Sequence, residues 1–199
     1  MKKMPVPPSN TLPCSSGSTC TDKNDLCIII SPIGEIDQDI CGLVGKKIQS
    51  VFGYHTMTLP ILSDISFAYD ENRKQYHSTP ILQKLADNAP ANCFKIIGIT
   101  GLDLFIPILT HVYGEAQLGG KACMISTYRL HDSQETEIYS KINERIVKEV
   151  IHELGHTFNL RHCDSSSCIM HYCRAIQDVD MKSDQLCRYC AIMLADELK

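Results

Sequence analysis

The stretch HELGHTFNLRHC, residues 152–163, brings three imidazoles and a carboxylate close together in the chain. On a helix, His152 and His156 share one face about 6 Å apart along the axis, so both can bind one metal ion at about 2.0–2.1 Å. Glu153 is turned far enough from that face to stand beside a metal-bound water, where it can act as a general base. His162 offers a third nitrogen if the helix ends and the chain turns back. Three protein ligands leave a fourth position to water, which distinguishes a catalytic zinc from a structural one.

A set of four cysteines follows directly: Cys163, Cys168, Cys187 and Cys190, the last two in the C-x-x-C spacing of structural zinc sites. A bare HExxH pattern also occurs as a solvated helix face, and a chain with eleven cysteines produces some such spacings by chance. Two sets that abut each other are harder to explain by chance. We therefore expect two zinc ions per chain, one catalytic on the histidines and one structural on the thiolates.

This arrangement resembles the archaemetzincins, a family of metallopeptidases of the metzincin clan marked by HExxHxxGxxHC followed by C-x-M and C-x-x-C. The upstream stretches FAYDENRKQYHSTPILQKL (67–85), ITGLDLFIPILTHVYGEAQLGG (99–120) and KACMISTYRL (121–130) also resemble the family. The resemblance covers residues 27–194. It implies an α/β (mixed α+β) chain with a metzincin-like zincin fold: a mixed twisted sheet, a long active-site helix and a small irregular C-terminal subdomain that holds the second zinc.

The resemblance also implies roles for two residues that follow Cys168. Met170 corresponds to the methionine of the Met-turn, which packs beneath the catalytic metal without binding it; a buried core methionine is nearly the same physical statement. Tyr172 resembles the Met-turn tyrosine of astacins and serralysins, whose hydroxyl reaches the metal or the transition-state oxyanion. The alternative is an ordinary core or surface tyrosine that uses its hydroxyl as a polar handle. His171, between them, is expected to face away from the metal.

The chain departs from the family pattern at two places. Asn159 stands where metzincins carry glycine, and the interval from Met170 to Cys187 is sixteen residues, one short of the family spacing. Because asparagine tolerates a left-handed backbone better than other non-glycine residues, we expect Asn159 to end the helix in that conformation. The shorter interval leaves open whether Cys173 replaces Cys187 as a thiolate ligand.

Composition limits the class of protein. The 199 residues are 44% hydrophobic and 21% charged, which is ordinary for a globular chain with a sizeable core. The net charge of −4 argues against a nucleic-acid partner, and no apolar run is long enough for a membrane span. The start, MKKMPVPPSN, has no apolar segment of a signal peptide, and the odd cysteine count fits a reducing compartment. We expect a cytoplasmic monomer whose partner is a peptide or protein substrate.

Sequence patterns predict the order of the elements. Residues 1–25, rich in proline and serine, are expected to be an irregular lead-in, followed by one metzincin-like catalytic domain over 26–199 that divides near residue 158 into N- and C-terminal subdomains. Strands are expected at 26–30, 55–61, 95–100, 112–116 and 121–129, and helices at 37–52, 79–87 and 135–158. The strand at 121–129 is expected to be the edge that binds extended peptide, with an inner strand as the alternative. Four cysteines in apolar surroundings are expected to be buried, Cys27, Cys41, Cys93 and Cys123, whereas Cys14 and Cys20 either pair or stay free.

Together these features favour a zinc-dependent metallopeptidase in which Glu153 takes the proton of a zinc-bound water as it attacks a peptide carbonyl. An aminopeptidase and a peptide-processing enzyme are both compatible with the sequence. The alternative is a non-catalytic zinc protein with a silent metzincin-like site that binds a peptide or partner without cutting it. A fourth protein ligand on the histidine-bound metal would favour the silent site, and the candidates for it are His171, Tyr172 and Cys173.

Overall fold

The computed structural model describes residues 26–131 and 139–199, so the expected lead-in at 1–25, with Cys14 and Cys20, lies outside the described residues. The described strands are β1 (Cys27–Ile33), β2 (Thr56–Thr58), β3 (Tyr69–Asp70), β4 (Gln75–His77), β5 (Cys93–Thr100), β6 (Leu104–Phe105), β7 (Gly114–Ala116) and β8 (Ala122–Ser126). The described helices are α1 (Gln38–Phe52), α2 (Ser78–Asp87), α3 (Tyr139–Thr157), α4 (Ile176–Met181) and α5 (Arg188–Glu197). None of the helices in these two ranges is long and apolar enough to cross a membrane.

The main sheet has the order β2-β1-β5-β8-β7, in which all neighbours are parallel except the antiparallel pair β7 and β8. This arrangement confirms the predicted mixed sheet. The physical cause is visible in β1, where Ile28 and Ile30 belong to one buried cluster while Cys27 and Ile29 belong to the other. Since successive side chains of a strand point to opposite faces, an unbroken apolar run requires cover on both faces of the sheet.

Helices supply that cover. Buried residues of α1 and α3, such as Val44 and Val150, pack on one face of the sheet, and residues of α2, such as Leu85, pack on the other. The result is a three-layer arrangement with α3 against the face that continues into the C-terminal part. The four cysteines expected in the core, Cys27, Cys41, Cys93 and Cys123, are all buried.

Local signals explain where α1 begins and ends. The carboxylate of Asp37 accepts a hydrogen bond from the backbone N–H of Asp39 at 2.9 Å, which caps the first turn. Gly53 ends the helix with φ 78°, and its N–H donates to the carbonyl of Gln49. This left-handed C-terminal residue is the conformation that glycine adopts at least cost. The predicted bounds of 37–52 are therefore close to those observed.

Three details differ from the expectations. β1 continues through Pro32 because its pairing with β2 ends at Ile30, so no neighbour on that side needs the missing N–H. A second, smaller sheet with the order β3-β4-β6 was not predicted, since its strands have only two or three residues. The C-terminal part, expected to be irregular, contains the helices α4 and α5.

The predicted edge strand was wrong. β8 lies between β5 and β7 and is an inner strand, whereas β7 forms the edge of the main sheet at this side. All five residues of β8 are buried, while those of β7 are half-buried. The apolar composition of 121–129 is thus the consequence of burial on both sides rather than of a peptide-binding role.

Candidate metal centres and active-site cleft

The helix α3 and the turn after it gather the three predicted histidines. One ring nitrogen from each of His152, His156 and His162 lies within 4.8 Å of the others. The Nε2 atoms of His152 and His156 are 3.2 Å apart, and the ring of His162 packs 5.3 Å from that of His152. Among the described His, Cys, Asp and Glu side chains, no fourth one joins this group.

Backbone carbonyls orient the two helical imidazoles. Nδ1 of His152 donates to the carbonyl of Ile169 at 2.9 Å, and Nδ1 of His156 donates to that of Leu160 at 2.7 Å. Because a carbonyl can only accept, these bonds assign the proton to Nδ1 in both rings. The two Nε2 atoms therefore face each other as lone pairs, an arrangement that a cation between them stabilises.

This geometry fits zinc. Two ligands held at 2.0–2.1 Å in tetrahedral geometry are separated by about 3.3 Å, close to the observed Nε2 separation of 3.2 Å. Burial lowers the pKa of His152, His156 and His162, so all three rings are neutral at pH 7 and their lone pairs are free to bind a metal. The site is thus prepared for a metal ion by burial and by hydrogen bonds.

Glu153 is buried beside these histidines, against the edge strand. Burial raises the pKa of its carboxyl well above the usual value, and the charge of nearby Glu149 raises it further. A Cβ added at Gly114 in β7 would lie 2.6 Å from Cγ of Glu153 and 2.7 Å from its Oε1. Glycine at position 114 is therefore what allows the carboxylate to stand between α3 and β7.

The turn after α3 brings His162 back to the helix. Asn159 has φ 60°, the left-handed conformation expected for it. Its side chain also donates to Glu197 in α5 at 3.0 Å, and the N–H of Gly119 donates to the carbonyl of His156. Lys95, which is buried, donates to the carbonyls of Gly120 and Thr157 at 2.7 Å and so neutralises the negative end of the helix.

Met170, predicted to lie in the Met-turn, is fully buried and packs against α3 beside the histidines. Its Sδ would be only 2.5 Å from a Cβ added at Gly155, the helix residue immediately before His156. Because Gly155 has no side chain, the thioether reaches the backbone of α3. The carbonyl that orients His152 belongs to Ile169, the residue before Met170. This turn therefore packs against α3 through the thioether of Met170 and orients His152 through the carbonyl of Ile169.

The second predicted set also comes together. The sulfurs of Cys163, Cys168, Cys187 and Cys190 lie within 4.8 Å of one another, and none of the four is in a disulfide. Cys163 and Cys187 have a sulfur separation of 3.8 Å. Two thiolates at 2.3 Å from a tetrahedral zinc are separated by about 3.8 Å, so this set also fits the ion.

Backbone donors prepare some of these sulfurs for the charged state. The N–H of Cys187 donates to Cys168 at 3.3 Å, and the N–H of Cys190 donates to Cys187 at 3.5 Å. The second bond, at the beginning of α5, lowers the pKa of Cys187 to about 7, whereas burial raises that of Cys190. Cys187 lies in this group despite the shortened interval, whereas Cys173 does not.

The side chains of the three residues that follow Met170 lie in different places. Tyr172 is 44% exposed and lines the cleft, with its ring 5.0 Å from that of His162. His171 turns the other way, and its Nδ1 contacts the carbonyl of Cys163 at 2.8 Å, in agreement with the prediction that it faces away from the metal. Cys173 lines the cleft beyond Tyr172, and burial raises the pKa of its thiol to about 11.

A cleft of about 780 Å³ opens over the histidines and Glu153. Its upper wall comes from the segment around β7, and the remaining residues from α3 and from the turns after it. The cleft also contains residues that the sequence patterns did not single out: His111, Tyr113, Gly114, Glu149, Arg161 and Arg174. Of these, Glu149 carried a usable signal, since it lies four positions before Glu153 and so on the same face of the helix.

Comparison with known proteins agrees with this geometry. The model of peptidase family M54 matches residues 46–196. The chain is 36% identical to the archaemetzincin of Archaeoglobus fulgidus over 166 residues, which cover 82% of this chain and 96% of that protein. It is 35% identical to the archaemetzincin of Methanocaldococcus jannaschii over 175 residues, with coverages of 85% and 93%.

Solved structures show the same fold. The crystal structure of archaemetzincin from Methanopyrus kandleri superposes with a TM-score of 0.76 at 27% identity, covering 89% of this chain and 98% of that one. The structure from Archaeoglobus fulgidus, complexed with malonate, gives a TM-score of 0.72 at 32% identity, with coverages of 84% and 99%. On the family match, the relatives and the shared fold, this chain belongs to peptidase family M54, the archaemetzincins, and is a zinc metallopeptidase.

Proposed function

We propose that the chain hydrolyses peptide bonds with His152, His156 and His162 as ligands of a catalytic zinc and Glu153 as the general base. The observation that carries this proposal is the group of three neutral histidines, joined by no fourth described His, Cys, Asp or Glu, at the floor of an open cleft. Zinc, when bound, supplies Lewis acidity that lowers the pKa of a water ligand and polarises the peptide carbonyl.

Glu153 moves the proton in this mechanism. Its carboxylate accepts a proton from water as the oxygen bonds to the peptide carbonyl carbon, and it then delivers that proton to the nitrogen of the departing amine. Burial between α3 and β7 keeps the carboxylate in place for both transfers.

β7 offers a place for an extended substrate. Tyr113 and Gln117 form backbone bonds with β8, so in the antiparallel ladder the N–H and C=O groups of Gly114 and Ala116 point away from it. We expect a peptide to add to this edge as a further strand, with its scissile carbonyl above the histidines. Tyr172, whose ring lies 5.0 Å from that of His162, is the candidate hydroxyl donor to the oxyanion that forms on that carbonyl.

The cysteine set is proposed to hold a second, structural zinc, which makes two ions per chain. His162 and Cys163 are adjacent, so this ion would fix the third histidine in front of the cleft. Elemental analysis of the purified protein should find about two zinc ions per chain, with the more exposed one removed first by a chelator. Finding one ion, with Cys187 and Cys190 alkylated in the native protein, would exclude the structural site.

The decisive test replaces Glu153 by alanine. The variant should keep its zinc and its fold, yet lose peptide hydrolysis by at least the ~10²–10⁴-fold expected for general acid–base catalysis. Glu144→Ala is a matched control, since Glu144 lies on the same helix but is exposed, and it should retain activity. Tyr172→Phe should cost about 10–10³-fold, as expected for one donor to the oxyanion.

An unbiased peptide library read by mass spectrometry is the substrate for these assays. Blocking the amino termini by acetylation separates an aminopeptidase, which loses its substrates, from a peptide-processing enzyme, which keeps them. If the zinc-loaded parent cleaves no peptide, or if Glu153→Ala turns over as the parent does, the silent peptide-binding protein replaces this proposal. We further propose that the protein is a cytoplasmic monomer without a nucleic-acid or membrane partner.

A further inference from the structure

A buried ion pair lies beside the active-site cleft and has no role in the mechanism above. Nζ of Lys182 and Oε1 of Glu149 are 2.8 Å apart, with the side chains 0% and 4% exposed. The two atoms are in ionic contact but are not aligned as a hydrogen bond. Removing two charges from water costs so much that a buried pair is rarely kept for stability alone.

Glu149 faces the cleft, whereas Lys182 lies behind it. Glu149 is part of the cleft wall and stands one helical turn before Glu153. His156 lies in the last turn of α3, and His162 follows in the turn after the helix. Tyr113 and Cys173 line the cleft near Glu149. Burial raises the pKa of Tyr113, and the nearby charges of Glu149 and Cys173 raise it further. The pair therefore lies on the Glu153 side of the cleft, and its charges also act on His162.

That side receives the leaving group. Because Glu153 delivers its proton to the departing amine, the residue that carries this amine must lie next to Glu153 during cleavage. Its side chain then meets Glu149, one turn along the same helix. The oxygens of a carboxylate only accept hydrogen bonds, so the wall at this point favours a side chain that can donate one.

Lys182 balances the charge of this wall. With the ammonium in contact with the carboxylate, the pair as a whole carries no net charge, which removes the advantage that a lone carboxylate would give to a cationic side chain. An apolar side chain would exclude water from this wall without offering the carboxylate a hydrogen bond, and so would bind less well. Neutral side chains with a hydrogen-bond donor satisfy both conditions.

We propose that the Glu149–Lys182 pair is a specificity determinant, which makes the subsite beside Glu153 select a neutral hydrogen-bonding residue, Asn, Gln, Ser or Thr, as the residue that supplies the leaving amine. This inference rests on the proposed peptidase function, and it concerns side-chain selection rather than the chemical step.

The test uses the full-length, zinc-loaded protein and a set of peptides that differ only in the residue after the scissile bond: Gln, Ser, Leu, Lys and Glu. For the parent, kcat/KM should be at least about tenfold higher with Gln or Ser than with Leu, Lys or Glu, the size expected for one hydrogen bond. Affinities of the same peptides for the Glu153→Gln variant, measured by fluorescence anisotropy, provide a readout that does not depend on turnover.

Three variants change the charge of the subsite in different directions. Lys182→Met leaves the carboxylate unbalanced and should shift the preference to Lys, whereas Glu149→Gln leaves the ammonium and should shift it to Glu. The double variant E149L/K182M removes both charges and should favour Leu by about tenfold. The double variant also protects the test against misfolding, since apolar residues of similar volume commonly replace a buried ion pair without loss of stability.

The variant K47M/D184N is the matched control, because it removes an ion pair that does not line the cleft, and it should keep the parental preference. The inference is overturned if the parent shows no preference, or if E149L/K182M keeps that of the parent. If the peptides bind but are not cleaved, the peptidase proposal is wrong. The ranking of their affinities then still decides whether the Glu149–Lys182 pair selects the side chain. A panel that is neither bound nor cleaved overturns both.

Discussion

Gly114 shows how one missing side chain determines the position of the carboxylate of Glu153, the proposed general base. A Cβ at this position would collide with Glu153 and would also lie 2.7 Å from the backbone oxygen of Met124 in β8. Neither strand can move without breaking the β7–β8 ladder, so Glu153 would have to leave its place. The absence of a side chain at position 114 is thus required both by the carboxylate of Glu153 and by the neighbouring backbone of β8.

We predict that Gly114→Ala lowers peptide hydrolysis by about 10²-fold while zinc content stays at the parental level, because a displacement of about 1 Å in a catalytic group has that effect. Gly42→Ala is the control. Gly42 lies in α1 with open space around it, and alanine there should raise the free energy of unfolding by about 0.5–1 kcal/mol without changing activity. Parental activity in Gly114→Ala would show that Glu153 is not held by this contact.

At the scale of elements, the end of α3 and the beginning of α5 contribute to the two proposed metal sites. α3 ends at Thr157, where Lys95 neutralises the last carbonyls and Asn159 reverses the chain. α5 begins after Cys187, whose sulfur accepts the N–H of Cys190 as a helix cap. Since each helix terminus leaves backbone groups unpaired, Lys95 binds such a carbonyl at the end of α3 and Cys187 binds such an N–H at the beginning of α5.

Cys190→Ser should remove the zinc bound by the thiolates and lower the melting temperature, because metal binding contributes to folding free energy. Cys41→Ser is the matched control: it also places a hydroxyl at a buried helical position, 2% exposed against 4% for Cys190, but removes no ligand. Thermal unfolding with and without chelator measures the difference. If the two variants melt alike and keep the same zinc content, the thiolate set does not stabilise the chain through a metal.

At the scale of the whole molecule, a second ion pair joins the C-terminal part to the main body. Arg145 of α3 is 1% exposed, and its Nε and Nη2 donate to the carboxylate of Asp180 in α4 at 2.6 and 2.8 Å. Its Nη1 donates to the carbonyl of Leu130 at 2.8 Å. Two parallel hydrogen bonds of this kind restrict the relative orientation of the two side chains, so the pair determines how α4 lies on α3.

The hydrogen bonds from Arg145 lower the pKa of Asp180 below its usual value. A lowered pKa stabilises the fold at pH values above the ordinary value of about 3.9, and this contribution is lost as the pH falls through the folded-state pKa. Asp180→Asn should therefore lower the free energy of unfolding at pH 7 by about 2 kcal/mol, less than for a fully buried pair, and should have a smaller effect at pH 3, where part of this contribution is lost. Urea unfolding at both pH values measures this.

Asp184→Asn is the control for that experiment. The pKa of Asp184 is also lowered, by its hydrogen bond with Lys47, but its side chain is 47% exposed, so its loss at pH 7 should be smaller. Equal losses for Asp180→Asn and Asp184→Asn, or a loss that persists unchanged at pH 3, would contradict the assignment of this pH dependence to Arg145.

Several features of this protein follow from its sequence because they are local. The spacing of His152 and His156 puts both on one helix face, and Asn159 adopts the left-handed turn that its side chain tolerates, with φ 60°. The apolar runs of β1 and β5 predict strands covered on both faces, as observed. In each case the information lies in the periodicity or the conformational preference of a few consecutive residues.

The tertiary structure alone decided which strand forms the edge of the cleft and which residues surround Glu153. Gly114 meets Glu153 and Lys182 meets Glu149 across gaps of more than thirty positions in the chain, where no periodicity relates the partners. The short strands of the second sheet exist only because neighbours pair with them. Contacts of this kind arise when separate elements pack and exclude water, so they depend on the whole core rather than on any single stretch of sequence.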